Sequence, residues 1–81
     1  MEQVGRVSHY YDKLGVAIIE LAAPLKVGDK IKFKGHGADF EQTVDSMQIE
    51  RDAVEKAKKG DAVGVKVENK AKEGTAVYLA K

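Results

Sequence analysis

Near the N-terminus, Ser8-His9-Tyr10-Tyr11-Asp12-Lys13 sets a histidine, two tyrosines and a lysine together, with Arg6 just before them. Exposed aromatic rings stack on unpaired bases, at about 1–3 kcal/mol per base, while neighbouring cations hold the backbone. The group has the composition of a rim for single-stranded RNA. The structural alternative is that one tyrosine closes an end of the fold and the other packs on the following turn, its hydroxyl in water. Neighbours on a strand alternate faces, so one of Tyr10 and Tyr11 is expected to be buried. A second stretch, residues 25–40, reads LKVGDKIKFKGHGADF. Lys30, Lys32 and Lys34 project from one face of a strand at steps of about 7 Å, close to the spacing of successive phosphates. His36 follows at the turn. This track is either a phosphate contact or the wet face of an amphipathic strand, where lysine discourages edge-to-edge aggregation. Asp29, Asp39 and Glu41 lie close in sequence and partly cancel it.

Catalytic chemistry finds little to work with. A nucleophile, base and orienting acid must converge. Ser8 and His9 are adjacent on a strand and point to opposite faces. Ser46 and His36 are separated by a predicted bend, with no evident orienting acid. The chain has 2 His and 0 Cys, which gives no metal cluster, disulfide framework or thiolate nucleophile. The expectation is a protein that is not an enzyme, with no cofactor and no metal.

The bulk properties point the same way. Eighty-one residues suffice for a single domain with a modest core, taken here as 1–81. Lys and Arg number 14 against 13 Asp and Glu, so any nucleic-acid contact must come from a local patch rather than from net charge. No apolar run approaches the roughly 20 residues of a membrane helix. The start, Met1-Glu2-Gln3, lacks the basic and apolar regions of a signal peptide. The expected setting is cytoplasmic, with no membrane partner.

The dominant hydrophobic period is two. Residues 30–34, 61–67 and 75–80 alternate apolar and polar, as half-buried strands do. In the last of these, Val77 and Leu79 face inward and Tyr78 outward. Residues 16–21 are apolar on both faces, which predicts a central strand or one covered by a second chain. Phe40, Gln42 and Val44 share one parity while Met47 and Ile49 share the other, so a bulge or bend is placed near Asp45-Ser46. Phe33, Phe40, Met47 and Ile49 read as core. Turn signals fall at Asp12-Lys13-Leu14-Gly15, Val27-Gly28-Asp29, Gly35-His36-Gly37, Gly60-Asp61 and Glu73-Gly74. A short helix is predicted from Asp52 as its cap, with Glu55 completing a capping box, Val54 and Ala57 buried and Gly60 ending it. Lys56, Lys58 and Lys59 then form its solvated face. Ile18 or Val16, with Tyr78, is a candidate apolar strip for a partner.

The segments GRVSHYYDKLGVAIIEL, LKVGDKIKFKG and TVDSMQIERDAVEKAKKGDAVGVKV together resemble the second-domain β-barrel of translation-factor GTPases, seen in elongation factor Tu and initiation factor two. The resemblance runs over nearly the whole chain. It is closer still to stand-alone translation elongation factor-like proteins and to the small C-terminal barrel of the collagenase-like peptidase family. It implies an all-β fold: a six-stranded Greek-key β-barrel of translation-protein type with one short helical turn. It does not imply GTP hydrolysis or nucleotide binding, because the G-x-x-x-x-G-K-[ST] loop of the GTPase domain has no counterpart here. In the full factors the barrel helps hold RNA, including the acceptor end of a tRNA.

The reading is a non-catalytic binding module that contacts tRNA or a ribosome-associated RNA or ribonucleoprotein. Arg6, Lys13, Lys32 and Lys34 would position phosphates, with His9 and one of Tyr10 and Tyr11 stacking, and His36 is a further candidate contact for RNA or a partner. The alternative is a protein-interaction barrel that docks on or regulates a peptidase-like or RNA-modifying enzyme.

Overall fold

Alternation along the chain becomes ten short strands in the computed structural model, which describes residues 2–35 and 37–80. The strands are β1 (Glu2–Tyr11), β2 (Val16–Leu21), β3 (Leu25–Lys26), β4 (Lys30–Gly35), β5 (Ala38–Thr43), β6 (Met47–Ile49), β7 (Asp52–Val54), β8 (Lys56–Ala57), β9 (Ala62–Lys66) and β10 (Ala76–Leu79). The fold is all-β, with no helix among the described residues. Eight strands form one antiparallel sheet in the order β5-β4-β10-β1-β2-β9-β6-β7, and β3 pairs with β8 in a separate two-stranded ladder. The last strand is inserted between β1 and β4, so the chain ends are tied into the centre of the sheet.

The inward parity of each strand supplies one shared core. Ile31 and Phe33 of β4, Ala17 and Ile19 of β2, Val63 and Val65 of β9, and Val77 of β10 are fully buried. The rings of Phe33 and Phe40 stack across the β4–β5 ladder with centroids 4.8 Å apart. Strand β2 is central, as its two apolar faces predict. Its outer residues Val16 and Ile18 lean over Gly64 of the neighbouring strand, where no side chain stands in the way.

The predicted bend is present. Residues 44–46 leave the ladder between β5, which pairs with β4, and β6, which pairs with β9. The parity of the buried residues switches there as expected, from Gln42 and Val44 to Met47. Val44 hydrogen-bonds through its amide to Asp29 and through its carbonyl to Gly28.

Two sequence expectations need correction. The strands number ten rather than six, and the helix at 52–60 is absent. Glu50 and Arg51, both at positive φ (51° and 72°), form a two-residue hairpin turn instead. Asp52 then faces Ile49 across the β6–β7 ladder rather than capping a helix. A helix of two turns standing alone is marginal in water. The same residues gain more by extending the sheet and by laying Ala57 against the core beside Leu25.

The two Gly-Asp signatures, Lys26-Val27-Gly28-Asp29 and Lys58-Lys59-Gly60-Asp61, fold into matching turns. In each, the aspartate carboxylate accepts the amide of the lysine three residues earlier, at 3.0 Å. In each, the aspartate amide returns a hydrogen bond to that lysine's carbonyl. These motifs hold turns, which is the structural role that Asx-type geometry supports.

Candidate functional site

The first sequence-predicted cluster is brought together in part. The ladder slips between Val7 and His9, and this bulge at Ser8 resets the parity of the strand end. Tyr10 therefore turns inward and packs against the core, while Tyr11 stays 46% exposed. One half-buried and one exposed tyrosine, on opposite faces, is what alternation requires. His9 and Tyr11 share the outer face with ring centroids 4.3 Å apart. His9 Nδ1 lies 3.1 Å from Glu73 Oε2, so an acid already occupies one edge of this pair. Lys13 and Leu14 sit exposed in the adjoining turn, Leu14 at 67%. Ser8 Oγ donates to the carbonyl of Ile18 and is thereby committed to the fold.

The lysine strand and Arg6 fall into a transverse row across the outer face. Ladder partners run Asp39, Lys34, Ala76, Arg6, Glu20 from β5 to β2. Each cation at the centre has an acid on its far side. One row over, Lys32 faces Glu41, and its Nζ reaches Asp39 at 3.7 Å. Opposite charges paired across strands stabilise a sheet modestly. Of these cations Lys32 makes an ion pair, while Arg6 and Lys34 only face acids across the ladder, and the net charge of the row is balanced. His36 lies outside the described residues.

The apolar strip is not assembled as the sequence suggested. Tyr78 pairs with Gln3 near the start of β1, while Ile18 pairs with His9 near its end. Six strand residues separate these positions, about 20 Å.

A different feature escaped the sequence reading. The two-stranded ladder sets Lys26 directly opposite Lys56, with Leu25 and Ala57 buried behind them. A shallow groove opens beside the pair, floored by Pro24, Leu25, Ala57 and Leu79. The only available signal was the lysine in each segment; their juxtaposition depends on a pairing between distant residues.

The architecture so described is a small all-β module. Among the described residues no three His, Asp or Glu side chains converge as a metal centre. Nor among those residues is any helix long and apolar enough to cross a membrane. No family model matches the chain. Over 80 residues it is 48% identical to an uncharacterized protease of Methanocaldococcus jannaschii, an alignment that covers 98% of this chain and 20% of the protease. The chain thus spans about a fifth of the length of that curated relative. Its fold is that of the C-terminal domain of a putative U32 peptidase from Geobacillus thermoleovorans. The crystal structure of its selenomethionine variant gives a TM-score of 0.92 at 21% identity, over 96% of this chain and 99% of that one. A second crystal structure of that domain gives 0.92 at 20% identity, over 99% and 93%. These neighbours bear out the likeness to a peptidase-attached domain. The likeness to the translation-factor barrel has no counterpart among them.

Proposed function

We propose that the chain is a non-catalytic protein-docking module whose partner is a peptidase-like protein. The alignment with a protease carries this reading: nearly all of the present chain corresponds to one fifth of the relative. A module found attached to a larger protein has a surface suited to that protein. Apolar side chains left exposed on a small fold support it, with Leu14, Tyr11 and Val27 the largest of them. The Greek-key barrel of translation-protein type belongs to the same proposal, supported by the insertion of β10 between β1 and β4.

The test is calorimetric titration of the chain into the Methanocaldococcus relative, whole and shortened by the matching region, with a cooperative melt confirming that the shortened protein is folded. Saturable one-to-one binding to the shortened protein is expected, with weaker binding to the whole protein, where its own copy competes. No heat with either would overturn the docking reading.

RNA contact is the second reading, favoured by the exposed His9–Tyr11 pair. It is weighed down by the acids opposite Arg6, Lys32 and Lys34. Fluorescence anisotropy of labelled tRNA at about 50 and 200 mM salt decides it, since phosphate contacts release counterions. An RNA-binding face requires a steep loss of affinity across that range and a further loss in Lys34→Glu; the charge-balanced row leads us to expect neither.

A further inference from the structure

We infer that the groove beside the Lys26–Lys56 pair is the docking surface, and that its occupant is an acidic, partly apolar segment of a protein partner. The inference deepens the docking reading and rests on it. Arg6, Lys32 and Lys34 each face an acid across the sheet, whereas Lys26 faces Lys56. Like charges directly opposite each other destabilise a ladder. The ladder in question is two residues long, so it has little pairing energy with which to offset the repulsion. Among the described residues neither lysine has an ion-pair partner: the pairs are His9–Glu73 and Lys32–Asp39. Asp29 borders the groove, but its carboxylate is turned to the Lys26 backbone amide at 3.0 Å.

Violations of a local rule concentrate where function demands them. Two lysines directly opposite each other on a ladder are suited to receive carboxylates, whose arrival would remove the repulsion. The apolar floor of Pro24, Leu25, Ala57 and Leu79 lies alongside, and Val27 next to Lys26 is 38% exposed. Such a site fits a strand-like segment that alternates acidic and aliphatic side chains, with acids over the lysines and aliphatic groups on the floor. The exposed Leu14 turn stands at the other end of β2, about 20 Å away. It therefore serves as an independent control.

The probe is the peptide acetyl-Leu-Glu-Leu-Glu-Leu-Glu-amide, titrated into the 15N-labelled chain. Amide shifts centred on residues 25–29 and 55–57 are expected. The decisive variant is Lys56→Glu, which places an acid opposite Lys26. It should bind the peptide at least about tenfold more weakly, while its Tm rises by about 1–8 °C because the repulsion is gone. A gain in stability coupled to a loss of binding distinguishes a site from a merely structural contact. Shifts centred elsewhere, unchanged peptide binding in Lys56→Glu, or binding of oligouridylate in place of the peptide would each overturn the proposal. The shortened protease separates the two levels. If Lys56→Glu binds it as the wild type does, or if Leu14→Asp loses it instead, the groove is not the dock and the docking reading stands. If the wild type takes the peptide but ignores the shortened protease, the docking reading falls and the groove remains an acidic-peptide site.

Discussion

Replacing Gly5 by alanine is expected to cost about 3 kcal/mol, which lowers the Tm of a domain this size by roughly 12–24 °C. The cause is steric and lies in the backbone. A Cβ built on Gly5 would stand 2.4 Å from the Glu20 carbonyl oxygen and 2.9 Å from Ile19 Cγ2. The first of these is main chain of the paired strand β2, so no side-chain rotation relieves it. Either β1 moves off β2 or the register slips, and β1 is the strand that joins β10 to β2. The irregular pairing between Gln3 and Gly5 already bends β1 at this point. Bringing two backbones this close is what a glycine permits in a strand. The control is Gly64→Ala. Its Cβ would meet Ile18 and Val16 side-chain carbons at 3.4 Å, an ordinary contact with flexible groups. That variant should remain within about 1 kcal/mol of the wild type, because lower unfolded-state entropy offsets minor crowding. Thermal melts of both variants check the contrast. Equal destabilisation would show that glycine content, not the β1–β2 approach, sets the cost.

Gly5 also shows where sequence reading stops. Period-two alternation locates β4, β9 and β10, because each buries one face and the pattern is local, and the two apolar faces of residues 16–21 locate β2 as a central strand. The parity switch from Val44 to Met47 located the bend for the same reason. Alternation alone says that Tyr10 and Tyr11 take opposite faces; which of them turns inward is set by the bulge at Ser8. What escaped depended on distant partners. Residues 52–60 carry a sound local helix signal, yet Val54 gains Met47 as a ladder partner and Lys56 and Ala57 gain β3. The turn that makes this possible uses Glu50 and Arg51 at positive φ, where neither residue type announces itself. The Lys26–Lys56 opposition follows from the same unpredicted pairing. The lysine strand was legible as amphipathic, but the acids facing it belong to register, which alternation does not specify.

Gln42 is the second residue whose role register conceals, and its replacement is expected to open the sheet along one seam. Strand β5 is an edge, paired only with β4. Its gap to the end of β9 is spanned by one side chain. Gln42 Nε2 donates to the Lys66 carbonyl at 2.8 Å, and its Oε1 accepts the Glu68 amide at 3.0 Å. The amide thus offers one donor and one acceptor to a backbone, as a neighbouring strand would. At 7% exposure its side chain is buried, so truncation removes both hydrogen bonds and leaves a gap in their place. Gln42→Ala should cost about 2–4 kcal/mol, combining lost hydrogen bonds with a small cavity. The Glu68 amide should then lose most of its hydrogen-exchange protection, while amides of β1 and β2 keep theirs relative to global stability. Gln42→Glu separates packing from hydrogen bonding, since its shape is conserved. The new carboxylate still accepts from Glu68 but sets a charge against the Lys66 carbonyl. Burial and that oxygen raise its folded pKa above the unfolded value of about 4.3. The variant's stability relative to wild type is then best below about pH 4.3 and is lost as pH rises through the folded pKa. A pH-independent difference between Gln42→Glu and the wild type would mean that the carboxyl has swung into solvent and that the seam is held by packing instead.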